Sequence, residues 1–302
     1  MIAPGAVLGS AAILGGVGLT FGVLIALANA RLKVWEDPRI EGVNALLPGA
    51  NCGACGFAGC RAFAEAVIRG ETPPATCTVM SEGEREEVAG YLGVDAGQAN
   101  PRVARLLCAG AADVAPWKAD YVGIESCAAA AAVSGGGKGC PWGCLGLGDC
   151  AVSCDFDAIA MSPLGLPVVT PELCTACEDC VEACPLDLFV VMPMDHHLVV
   201  QCRSLLEGDE AESVCSVACN ACRRCVQDAP DGLIDMVDGL AVVNYERIAL
   251  ENPGVVERCP TGAIVWLDGR QFPAIGGPVE PEPAHVAPRR PAFATAAEGG
   301  RA

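Results

Sequence analysis

The sequence predicts an α+β protein carried on one apolar N-terminal helix, with its soluble part divided into small cysteine-rich units. Three observations predict this. Residues 2–30 contain no charged side chain. Twenty cysteines follow in a 302-residue chain whose aromatic content is only 5%. Five of those cysteines return, without a gap, 75 residues later. Few aromatics and many thiols mean that cross-links or metal groups do part of the work of a large apolar core.

The first element is the run IAPGAVLGSAAILGGVGLTFGVLIALANA. As a helix it would reach about 43 Å, more than the ~30 Å hydrocarbon core of a bilayer. Val7 to Leu27 suffices for one crossing, and Gly9, Gly16 and Gly22 allow a second helix to approach closely. ALANA before Arg31 resembles a signal cleavage site. No Lys or Arg precedes the apolar run, however, so residues 1–30 are expected to stay as a transmembrane anchor. Arg31, Lys33 and Arg39 follow it, which places the soluble part on the cytoplasmic side of the cell inner membrane in a single-pass topology. A net charge of −18 argues against nucleic acid as a partner.

After a linker at 31–50 comes LLPGANCGACGFAGCRAFAEAVIRGETPPATC, the centre of a unit at 51–95. Cys52, Cys55, Cys60 and Cys77 are spaced x2, x4 and x16. Gly53, Gly56 and Gly59 let the backbone wrap closely and aim N–H groups at sulfur. From Cys60 the chain reads as a short helix with Ala62, Phe63, Ala66 and Val67 apolar. Gly70 stops it, and Pro73-Pro74 returns the chain to Cys77. Four thiolates suit iron–sulfur or zinc. Residues 81–93 read as an exposed helix capped by Ser81 with Glu84 completing a capping box. A connecting segment at 96–126 follows.

The repeat then sets the architecture. Cys127, Cys140, Cys144, Cys150 and Cys184 pair with Cys202, Cys215, Cys219, Cys225 and Cys259, and Ile159, Met161, Val168 and Pro185 pair with Ile234, Met236, Val243 and Pro260. Two ferredoxin-like modules are expected, at 127–201 and 202–270. In a two-cluster ferredoxin the fourth cysteine of each C-x2-C-x2-C-x3-C-P run ligates the other cluster. The first module therefore has a complete site in Cys174, Cys177, Cys180 and the crossing Cys154. Its other site has Cys144, Cys150 and the crossing Cys184, but residue 147 is leucine. Cys140, nearest in sequence, is the expected replacement.

The second module has a complete site in Cys219, Cys222, Cys225 and the crossing Cys259. Its other site would need Ala249, Asn252, Val255 and the crossing Ala229, so all four ligands are gone together, with apolar or amide side chains expected to fill the space. Cys108, Cys127, Cys202 and Cys215 remain. They form a fifth site; or Cys127, Cys140, Cys202 and Cys215 form it and Cys108 joins Cys144, Cys150 and Cys184; or some are buried thiols. The expectation is five [4Fe-4S] clusters, and at least four.

Other features carry less. SGGGKGC lacks the glycine and Ser/Thr of a phosphate loop, and GCLGLG has the wrong spacing for a dinucleotide fingerprint. His196-His197 reads as a solvated turn, and Asp155 and Asp157 as a surface turn beside Cys154. Residues 271–302, rich in Pro, Ala, Gly and Glu without periodicity, read as a disordered tail.

The anchor followed by LLPGANCGACGFAGC, then CPWGCLGLGDC and CTACEDCVEACP, resembles the B subunit of the Rnf complex, a membrane-bound ion-translocating ferredoxin:NAD oxidoreductase. The likeness covers most of residues 1–270. The first cysteine unit alone also resembles one in the corrinoid iron–sulfur protein. The Rnf resemblance implies a translocase subunit that relays electrons without substrate chemistry of its own. The donor would be reduced soluble ferredoxin and the acceptors partner membrane subunits, with sodium or proton pumping elsewhere in the complex. The alternatives are a free-standing membrane-tethered polyferredoxin and a structural zinc scaffold.

Overall fold

The computed structural model describes residues 4–32 and 36–272. The expected tail falls outside the described residues from 273 onward. Helix α1, Pro4–Leu32, stands apart from the rest: its apolar stretch Ala12–Leu32 has no buried residue, and Leu14 and Leu19 are at least 70% exposed. A helix apolar all round and unpacked on protein is shaped for lipid.

The stretch expected to be a linker holds a helix, α2, Pro38–Leu46. Its start is specified locally. Asp37 accepts the Arg39 backbone N–H, and Pro38 sits in the first turn, where its missing N–H costs nothing. Only Val43 is fully buried from it, so the sequence has little apolar periodicity to betray the helix. Helix α3, Cys60–Ile68, buries Phe63, Ala64 and Val67 against Val43, Leu47 and Met80, and Ala66 is buried as well. Helix α4, Glu82–Leu92, has the expected capping box on Ser81 and Glu84 and ends at Gly93 in the left-handed region. It is not exposed all round, because Val88 closes the same core.

The cysteine repeats fold as four two-stranded antiparallel sheets. The first repeat contains β1, Arg102–Leu106; α5, Cys127–Ala132; α6, Asp149–Val152; β2, Ile159–Met161; β3, Pro167–Val169; α7, Asp179–Glu182; and β4, Phe189–Pro193. The second contains β5, Leu198–Val200; α8, Gly208–Val214; α9, Arg224–Asp228; β6, Ile234–Val237; β7, Leu240–Val243; and β8, Ile264–Trp266. In each repeat the first strand pairs with the last and the middle two form a hairpin.

The strand registers correct the ungapped alignment at two places. Leu106 faces Phe189, and Val200 faces Ile264. Leu106 is therefore the counterpart of Val200, and Cys108 that of Cys202, at a spacing of 94 rather than 75. Cys140 follows Cys108 by 32 residues, whereas Cys215 follows Cys202 by 13, so the first repeat carries an insertion that contains Cys127. The 75-residue match of Cys127 with Cys202 is a coincidence of length. β1 also lies within the segment expected to be a mere connector. In the hairpins Ile159 faces Val169 and Ile234 faces Val243, so Val243 corresponds to Val169, not Val168; the second hairpin is one residue shorter.

Two contacts lock the repeats together. The Gln271 carboxamide accepts the Leu106 N–H at 2.9 Å and donates to the Leu106 carbonyl at 2.8 Å, extending β1 by one mimicked strand residue. His196 and His197, rather than lying free in solvent, stack on Tyr245 and Trp266, and His197 Nδ1 lies 2.9 Å from Glu251.

Candidate metal centres

Every cysteine of the chain lies in one of five groups of four. Cys52, Cys55, Cys60 and Cys77 gather at the start of α3, where Asn51 Oδ1 accepts the Cys60 N–H. Gly59 must be glycine here: at φ 146° an added Cβ would lie 2.9 Å from that Asn51 oxygen. Cys154, Cys174, Cys177 and Cys180 line one pocket, and Cys219, Cys222, Cys225 and Cys259 another. These three groups are those that spacing predicts.

The other two differ from both expected partitions. Cys144, Cys150 and Cys184 are joined by Cys127, not by Cys140 or Cys108. Cys108, Cys140, Cys202 and Cys215 form the remaining group, two from each repeat. That bridging group has pseudo-twofold symmetry. Cys108 Sγ accepts the N–H groups of Gly110 and Cys144, and Cys202 Sγ those of Ser204 and Cys219.

The loops show why Cys127 fits. In 174–180 and 219–225 the third and fifth residues are left-handed: Ala176 and Glu178, then Ala221 and Arg223, with φ from 59° to 73°. Run 144–150 keeps that backbone with Gly146 and Gly148 at φ 70° and 84°. Leu147 thus occupies the place of Cys177 and Cys222. The insertion returns Cys127 to the same spot, where its sulfur accepts the N–H groups of Leu147 and Asp149. Asp149 in turn accepts from the Cys127 N–H at 2.9 Å, the Ala128 N–H at 3.0 Å and the Ser126 hydroxyl at 2.9 Å, pinning α5 to the loop.

The sulfurs sit in backbone N–H nests, which favour negative charge. Burial nevertheless pushes the Cys144 and Cys180 thiols up to about 12, and those of Cys177, Cys202 and Cys225 to about 11. Cys259 goes the other way: burial raises it, but the N–H groups of Ile264, Thr261 and Ala263 and the Thr261 hydroxyl outweigh burial. The raised thiols hold their protons in the metal-free chain, so loading releases protons and is favoured as pH rises. Lys138 supplies a buried positive charge beside the bridging group. Its ammonium donates to the Gly110 and Cys144 carbonyls at 2.5 and 2.7 Å.

The five groups adjoin in a line. Thr78, next to Cys77, donates to the Thr175 carbonyl at 2.6 Å, linking the first group to that of Cys174. Cys180 lies in the field of Cys150, Cys108 accepts from Cys144, and Cys202 accepts from Cys219. The succession runs from the helical unit that follows α1 in sequence to the group of Cys219. Among the described residues no three Cys, His, Asp or Glu side chains converge tightly enough for a single metal ion. At Ala229, Ala249, Asn252 and Val255 there is no cage: Val255 is fully buried in an apolar core with Leu233 and Ile234, Ala229 packs at its edge, and Asn252 is half-buried.

Residues 47–79 match a family model described as a putative Fe-S cluster. The chain is 39% identical over 259 residues to the B subunit of the Na(+)-translocating ferredoxin:NAD(+) oxidoreductase complex of Acetobacterium woodii, spanning 86% of this chain and 78% of that protein. It is 35% identical over 255 residues to the B subunit of the ion-translocating oxidoreductase complex of Methanosarcina acetivorans, 84% of this chain and 96% of that one. The B subunit of the proton-translocating ferredoxin:NAD(+) oxidoreductase complex of Clostridium ljungdahlii is 39% identical over 250 residues, 82% of this chain and 88% of its own length.

Proposed function

Because the chain belongs to the family of B subunits of Rnf-type ion-translocating oxidoreductase complexes, we propose that its five cysteine groups each hold a [4Fe-4S] cluster and that they form one wire from a soluble donor to the membrane. The chain is an iron–sulfur electron-transfer subunit of such a complex. The observation that carries the finer reading is the sorting of all twenty cysteines into five groups of four, each in contact with the next, with no thiol left over.

When bound, the clusters supply one-electron transfer. The protein does the rest. Loops with left-handed residues at 146–148, 176–178 and 221–223 would present three of the groups' thiolates, N–H donors to sulfur would set the charge there, and the apolar cores around Leu106 and Ile234 exclude water. Backbone contacts between neighbouring groups hold the steps short. α1 tethers the near end to the bilayer in a single pass, with the soluble part on the cytoplasmic side. Relatives whose names include ferredoxin support reduced soluble ferredoxin as the donor.

Anaerobic purification of the full chain, with iron, zinc and acid-labile sulfide analysis, tests this. We expect about 20 irons and 20 sulfides per chain. Near-stoichiometric zinc without sulfide would sink the redox reading, and about 16 irons would remove one group from the wire.

A further inference from the structure

The far end of the wire has its own surface chemistry. Cys222 is the only cysteine of the chain that is exposed. It is followed by Arg223 and Arg224, both exposed and neither bonded to any carboxylate among the described residues. At the corresponding place in the first repeat, Cys177 is followed by Glu178 and Asp179. The backbones match, with Arg223 at φ 60° and Glu178 at φ 73°, so the two loops differ in charge and not in shape. An arginine pair is out of keeping with a chain of net charge −18. The nearest acidic side chain in sequence, Asp228, is already paired with Arg258, and Glu212 accepts from the Asn220 amide at 2.7 Å.

We propose that Arg223 and Arg224 form the docking site for an acidic one-electron carrier protein, which delivers its electron at Cys222. This rests on the reading that Cys219, Cys222, Cys225 and Cys259 hold a redox group. One electron leaves the reduced carrier, which is oxidised by one, and enters that group, which is reduced by one; no proton or bond is exchanged. Two guanidinium groups without an ion pair among the described residues, beside the most exposed cysteine of the wire, steer an acidic partner to that end. Steering of this kind acts mainly on the association rate and weakens with ionic strength.

The test uses the full-length chain with a reduced acidic two-[4Fe-4S] ferredoxin as probe, followed by stopped flow. The double variant Arg223→Glu with Arg224→Asp copies the loop of the first repeat. It should keep its iron, sulfide and low-temperature EPR signals while its second-order rate falls at least tenfold at low ionic strength, and the gap to wild type should close at high salt. The reverse variant, Glu178→Arg with Asp179→Arg, should leave the rate within about twofold. An unchanged rate in the arginine variant, or a loss equal at low and high salt, overturns the docking site. A loaded wild-type chain that takes no electron from the carrier instead ends the donor reading.

Discussion

Two seven-residue runs, 144–150 and 249–255, both depart from the cysteine pattern, and they have met opposite fates. The first lost one cysteine, to Leu147, and kept its cage. Gly146 and Gly148 still turn left-handed, and Cys127 arrives from an insertion to fill the place. The second lost all three cysteines, and the crossing position became Ala229. Its backbone relaxed into the 3-10 turns Tyr245–Leu250 and Pro253–Val256, none of whose residues has positive φ, and Val255 joined the core. The difference teaches what holds such a loop. Left-handed turns at non-glycine residues cost about 1–2 kcal/mol each, and a bound group can offset that cost. With no ligands the cost has no return, and the chain takes the cheaper turn and buries a valine.

The strongest way to break this comparison is Cys127→Ser. It should remove about four irons per chain, read by iron analysis, and adding Leu147→Cys should restore them. Failure of that rescue would mean that the cage has shifted toward Cys127 beyond repair. The converse is expected at the other run. Cysteines placed at Ala229, Ala249, Asn252 and Val255 together should add no iron, because the backbone there no longer makes a nest. A further increment of iron above wild type would contradict the collapsed reading. The apolar filling is tested by Val255→Ala, which should cost about 2 kcal/mol in denaturant unfolding while leaving the iron content unchanged. Gln271→Leu strips both bonds from the Leu106 backbone and should cost about 1–3 kcal/mol, with faster hydrogen exchange at Leu106. Smallest is Ser81→Ala, about 1 kcal/mol from the lost capping box, confined to α4 and without effect on any cysteine group.

The comparison also shows what could be read in advance. The grouping of Cys154 with Cys174, Cys177 and Cys180, and of Cys259 with Cys219, Cys222 and Cys225, was legible because C-x2-C-x2-C spacing forces three thiols onto one point and the crossing pattern of a two-cluster ferredoxin supplies the fourth. Cys127 was not, because an insertion delivers it through space and leaves no local pattern. The false register of Cys127 with Cys202 hid it further. The signal that would have found the true partner is the strand ending two residues before a cysteine, VARLLC in one repeat and LVVQC in the other. Helix α2 was missed for a different reason: it buries one valine fully, so its start is marked by Asp37 and Pro38 and not by an apolar stripe.

The bridging group has a consequence for biosynthesis. Two of its thiols, Cys108 and Cys140, are made well before Cys202 and Cys215. At 5–20 residues per second the ribosome needs roughly 3–12 s to pass from Cys140 to Cys202. For that interval the first repeat has half a socket, and the insertion that carries Cys127 has to settle beside it without capturing Cys108 or Cys140. The pin from Asp149 to the N–H groups of Cys127 and Ala128 needs nothing from the second repeat. It commits Cys127 early, and so leaves the other two thiols waiting for their partners on the nascent chain.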